Sequence, residues 1–126
     1  MIRAHPFGIG VGEAAFHRVY PFYAVSGTES VMHAHQLLLQ IAAELGLVGA
    51  ACLLWILWRL LRRALSYCTR TRDASSRAWL LGLLCALLGT LVMGTFDYVW
   101  YRFGLFWLFW CVSAVLMNVT QERREE

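Results

Sequence analysis

The chain has 126 residues, 60% of them hydrophobic and 15% charged, with a mean hydropathy of +0.55. That apolar share exceeds the roughly 45–50% of ordinary soluble domains and, with so few charges, excludes disorder, collagen and a disulfide scaffold. The formal charge of +3 arises from 11 cations, all arginine and unevenly spread along the chain, a pattern that fits membrane topology better than nucleic-acid binding.

Residues 1–36 are the polar part. They hold all four histidines, His5, His17, His33 and His35, and both prolines. In His5-Pro6-Phe7-Gly8-Ile9-Gly10-Val11-Gly12 a proline is followed by glycine at every second position, which breaks regular structure and allows close backbone approach. This reads as a turn; a phosphate cradle would need a Lys-Ser/Thr ending that is missing. Phe16, Tyr20, Phe22 and Tyr23 gather around Pro21 and suit a membrane interface. Thr28 or Ser30 is expected to cap a short helix. The chain does not open with a signal-peptide pattern, so its spans are expected to direct insertion.

If residues 33–44 are helical, His33, Gln36, Gln40 and Glu44 recur every three or four positions and form one polar face. Glu44 lies inside an apolar run, where it needs a hydrogen-bond partner or a protein surface. His35 points away from that face. At a helix start the dipole favours its neutral imidazole, which can take a proton from a substrate hydroxyl. The His33-x-His35 pair also raises a metal reading with His5 or His17 as further ligands. No carboxylate or cysteine is spaced to complete the shell, so no metal is expected.

Three apolar runs follow. Residues 37–58 form the first expected transmembrane helix, 79–96 the second and 103–119 the third, each near the length that crosses a bilayer. Six tryptophans with Tyr98 and Tyr101 fall mainly near the ends of these runs, at headgroup depth. The intervening residues 59–78 carry Arg59, Arg62, Arg63, Arg70, Arg72 and Arg77, and the tail 120–126 adds Arg123 and Arg124. Against these stand only Arg3, Arg18 and Arg102. The asymmetry predicts a cytoplasmic loop and tail, with residues 1–36 as an extracytoplasmic loop segment and 97–102 as an extracytoplasmic turn. In that turn Asp97 and Arg102 either pair with each other or leave the arginine to face an anion. Gly46/Gly49 and Gly82/Cys85/Gly89 form small-residue strips suited to helix packing. Cys52, Cys68, Cys85 and Cys111 show no metal spacing and read as small apolar fillers. The fold class expected is all-α and integral to the membrane, with about three spans.

Taken in order, His5-Pro6-Phe7-Gly8-Ile9-Gly10, then Ala34-His35-Gln36-Leu37-Leu38-Leu39-Gln40-Ile41, then Glu44-Leu45-Gly46-Leu47-Val48-Gly49, the sequence resembles the O-antigen ligase and polymerase superfamily of bacterial membrane proteins. Asp97-Tyr98-Val99-Trp100-Tyr101 before an aromatic span is similar to the C-terminal end of some members. The resemblance implies a multi-helix glycosyltransferase-like fold in the bacterial cytoplasmic membrane. It implies transfer of glycan from undecaprenyl diphosphate to an acceptor glycan or lipid at the extracytoplasmic face, in surface-polysaccharide synthesis and without a cofactor. His35 takes the place of the family's loop histidine, acting on the acceptor hydroxyl. Arg3 and Arg102 are the arginines available to hold the departing diphosphate, and His33 and Gln36 are the other residues expected to bind substrate. Gln36 departs from the usual Asn or Ser. Family members carry around ten spans, so the chain is expected to correspond to a C-terminal portion that is inactive alone, completed by further spans or another membrane subunit. The alternative from the residues themselves is a small three-span accessory protein without catalysis.

Overall fold

The computed structural model describes residues 1–27, 31 and 33–122. The capping expected of Thr28 or Ser30, and the tail arginines Arg123 and Arg124, lie outside them. The elements are α1 (Glu13–Val19), a 3-10 turn (Tyr20–Phe22), α2 (Leu37–Glu44), α3 (Gly46–Arg70), α4 (Ala74–Gly94), a second 3-10 turn (Val99–Tyr101) and α5 (Phe103–Glu122), with no strand among the described residues. They divide into two compact units. One comprises Met1–Leu54 with Gly94–Tyr98, the other Trp55–Met93 with Val99–Glu126, and α3 runs from the first into the second.

In the first unit the glycine-rich turn is the organising feature. Gly8, Gly10 and Gly12 all hold left-handed backbone conformations, with φ of 88°, 101° and 108°. This positive φ is accessible to glycine without a Cβ penalty. Gly12 precedes α1, which buries Phe16 almost completely and stacks it on Tyr20 at 5.1 Å between ring centroids. Burying a phenylalanine contributes roughly 1.5–3 kcal/mol, enough to anchor so short a helix. Pro21 then tightens the chain into the 3-10 turn.

The expected helix over 37–58 is two helices. Gln36 starts α2: its backbone is extended and its side-chain Oε1 accepts the Leu39 N–H at 2.6 Å. α2 stops at Glu44, because Gly46 adopts φ +74°, the left-handed residue that commonly ends a helix. The chain restarts at once as α3. The break is held by the turn at residues 5–10. Ile9 N–H donates to the Ala43 carbonyl (2.9 Å), Gly10 N–H to Glu44 (3.1 Å) and Leu47 N–H to Pro6 (2.9 Å). Carbonyls and amides freed by the break are thereby satisfied from a segment 34 to 41 positions away. The contact is backbone against backbone. A Cβ on Gly8 would collide with the Glu44 carbonyl, and one on Gly46 would meet the Pro6 carbonyl and stand 2.7 Å from the Gly8 nitrogen. The Gly46/Gly49 strip, expected to face another helix, is therefore used within the chain, with Gly49 set against Leu45.

In the second unit α4 and α5 are long and apolar enough to cross a membrane, and only 22% of each apolar window is buried. A soluble core helix would be covered far more completely; the exposed Trp79, Val92, Trp107 and Leu108 suit lipid. Asp73 caps α4, accepting the Ser76 N–H at 2.8 Å. Inside the helices, Thr90, Ser113 and Thr120 return their hydroxyl hydrogens to carbonyls four residues back at 2.8–2.9 Å. That local bond lets a polar residue sit in an apolar setting. The second 3-10 turn buries Trp100 against Phe106, Phe109 and Trp110 at centroid distances of 5.6, 5.1 and 5.8 Å. Gly82 and Gly89 have open space beside them, so their strip meets no helix among the described residues.

The arginine-rich stretch expected as a loop over 59–78 is largely helical. α3 continues to Arg70, and Arg59 and Arg62 lie over the rings of Trp55 and Trp58, four residues earlier, at 5.8 and 5.2 Å. Arginine is a good helix former, and i, i+4 contacts support the extra turns. The charges it brings mean that α3 as a whole is not of the apolar kind seen in α4 and α5, so two helices rather than three have that character.

Candidate functional site

The polar face expected along one helix is real in its chemistry but is built differently. Because α2 begins at Leu37, His33 and Gln36 precede it in non-helical backbone, and only Gln40 and Glu44 are helical. A chain of hydrogen bonds joins the two parts. Ala34 N–H donates to Gln40 Oε1 at 2.7 Å, and Gln40 Nε2 donates to Glu44 Oε1 at 2.7 Å, with both side chains buried. Glu44 thus has the partner its position demands, and Gln40 uses both ends of its amide to fix the segment carrying the histidines.

His35 stands at the edge of this frame, where the Gly94–Tyr98 segment meets it. Its Nδ1 lies 3.2 Å from Asp97 Oδ1, and both side chains are exposed, at 69% and 58%. Asp97 also accepts the Tyr98 backbone N–H at 2.8 Å. The hydrogen bond from His35, followed by that from Tyr98, holds the Asp97 carboxyl below the ordinary carboxylate value of 3.8. An ionised carboxylate only accepts, so Nδ1 must carry the hydrogen, and in neutral His35 this leaves the Nε2 lone pair to accept a proton. Asp97 thereby sets the tautomer.

His33 packs beside the pair, its ring centroid 4.8 Å from that of His35 and 5.7 Å from that of Tyr98. Tyr98 is half-buried, and burial lifts its phenol above the ordinary value of 10.0, with the Glu44 charge adding to the effect. Ligand atoms of His33, His35 and Asp97 all lie within 4.8 Å of one another, two imidazoles and a carboxylate that together could hold a divalent ion. The expectation that no carboxylate could complete the His-x-His pair is corrected here: Asp97 arrives from 62 positions away. No local spacing could have revealed it.

Of the other expected residues, Gln36 contributes through its cap on α2, and Arg3 is exposed in the N-terminal turn. His5, in the same segment, meets the Tyr23 hydroxyl at 3.2 Å. Arg102 belongs to the second unit, exposed just before α5, where its carbonyl accepts the Leu105 and Phe106 amides. The frame just described, from the His5–Gly8 turn through His35 to the Gly46 break, falls within one recognisable segment. Residues 1–54 match the O-antigen ligase family. Comparison with curated proteins and with solved structures gave no match. The matched segment contains His35 and both glycines of the backbone contact, whereas Asp97 and Tyr98 come from beyond it.

Proposed function

We propose that the chain belongs as a whole to the O-antigen ligase type and serves glycan transfer from an undecaprenyl-diphosphate carrier at the extracytoplasmic face of the bacterial cytoplasmic membrane. The single observation that carries this is the His35–Asp97 bond in the unit containing the family match. His35 Nε2 takes the proton of the acceptor hydroxyl while that oxygen bonds to the anomeric carbon. The bond from that carbon to the diphosphate breaks, and the electron pair leaves with the lipid diphosphate. Asp97 orients the ring and stabilises the imidazolium that forms, the role a carboxylate plays behind a histidine base. His33 and Gln36 bind substrate beside His35, and Arg3, of the same unit, is a cation available to the leaving group.

The test is to place this chain's residues into the matching part of a full-length O-antigen ligase, with and without His35→Ala, and to read surface glycan. Loss on His35→Ala, with His17→Ala unchanged, supports the base. Equal glycan with and without His35 favours an accessory role. A second reading is favoured by the three-donor cluster: a chain that holds a divalent metal at His33, His35 and Asp97. It predicts stoichiometric zinc or iron in the purified chain, lost in His33→Ala, and transfer that fails after chelation.

A further inference from the structure

Within the second unit, α3 presents two contrasting faces. Leu60, Ala64 and Cys68, four residues apart, are buried. Around the helix, Arg59, Arg62, Ser66 and Arg70 recur at three- and four-residue steps and open on a cavity of about 750 Å³, which also takes in Arg63 and Arg72 and, from α5, Thr120. Among the described residues, five guanidinium groups line this cavity and none of the lining side chains is acidic. Like charges so gathered repel unless an anion or solvent compensates them, and a concave wall concentrates their field. Trp55 and Trp58 form one end, under Arg59 and Arg62, so two of the forks are held by ring contacts before any ligand arrives.

We propose that this cavity is a binding site for the phosphate groups of an anionic ligand. The guanidinium fork matches phosphate oxygens two at a time, and several forks converging on one space suit a ligand with more oxygens than a single carboxylate offers. Two sources present that chemistry: the headgroup of an anionic phospholipid, for which basic pockets beside membrane helices are suited, and a free diphosphate. The tryptophans at one end suit the lipid, whose glycerol and upper acyl chain pass the interface where such rings sit.

The test uses the full 126-residue chain in detergent, with native mass spectrometry counting bound phosphatidylglycerol, phosphatidylcholine or inorganic pyrophosphate. The site predicts saturable binding of phosphatidylglycerol or pyrophosphate and not of phosphatidylcholine. Phosphatidylglycerol alone assigns the headgroup, pyrophosphate alone assigns the free anion, and both mean that the phosphates suffice. Losing one forked, charge-assisted contact should weaken binding about tenfold in Arg62→Gln and, at the other end of the cavity, in Arg70→Gln. Arg77→Gln removes the same charge from the first turn of α4, outside the cavity, and is expected to leave binding unchanged. Equal loss in Arg62→Gln, Arg70→Gln and Arg77→Gln would mean diffuse attraction to basic residues and would overturn the site. So would equal binding of phosphatidylcholine and phosphatidylglycerol with none of pyrophosphate.

Discussion

The two units solve the same problem, how to keep polar groups in apolar surroundings, by different means. In the second, each buried hydroxyl described is satisfied within its own helix, as Ser113 is by the Phe109 carbonyl, so the helix remains whole and its outer surface stays apolar and exposed. In the first, helix is interrupted, and the freed groups of Ala43, Glu44 and Leu47 are met by a distant turn. Local satisfaction yields an unbroken helix. Satisfaction at a distance yields a frame on which side chains of unlike sequence position meet, and the His35–Asp97 pair is found there.

The contrast can be broken most severely at Gly46. Gly46→Ala adds a Cβ where φ is positive and the Pro6 carbonyl already stands, so strain and overpacking together should cost about 3 kcal/mol or more. Unfolding of the chain in mixed micelles would measure it; a change below about 1 kcal/mol would mean that the turn does not dock as described. Next comes Glu44→Ala, which strands the Gln40 amide hydrogens in a buried site at a cost of about 1–3 kcal/mol, while Glu44→Gln restores an acceptor and recovers most of it. Ser113→Ala probes the second unit. Its hydroxyl bonds only within its own turn, so the same unfolding measurement should shift by less than about 1 kcal/mol.

The smallest effect is the pH dependence of the Asp97 contact. Its carboxyl is held below 3.8 in the fold, so the contribution is present above the unfolded value and is lost as pH falls through the lowered one. Since Asp97 is solvent-exposed, stability followed from pH 6 to pH 2 should decline only slightly more than in Asp97→Asn. A decline that sets in well above pH 4 would place its cause elsewhere.

Much of this was legible in the sequence, for reasons that differ by region. α4 and α5 could be read because uninterrupted apolar length is a local property. The Gln40–Glu44 pair could be read because four-residue spacing puts both on one face. The end of α2 could not: Leu45-Gly46-Leu47 is as apolar as any span, and what stops the helix is the Pro6–Gly8 backbone, far off in the chain. The arginines after Trp58 suggested a loop by charge, yet propensity and the underlying tryptophans extend α3 through them. For the site, His33, His35 and Gln36 were visible as unusual polar residues before an apolar run. Their carboxylate partner was not, because a contact across 62 positions leaves no periodic trace.

A double-mutant cycle asks whether His35 and Asp97 act as one unit in the proposed transfer. Transfer rates would be compared for His35→Ala, Asp97→Asn and the double variant of this chain, carried in a full-length ligase. Removing a general base should cost about 10²–10⁴-fold, and Asp97→Asn should cost less, because the ring remains but loses its orientation. If Asp97 acts only through the imidazole, the double variant is expected to be no slower than His35→Ala. Losses that multiply, or Asp97→Asn at the unaltered rate, would contradict it.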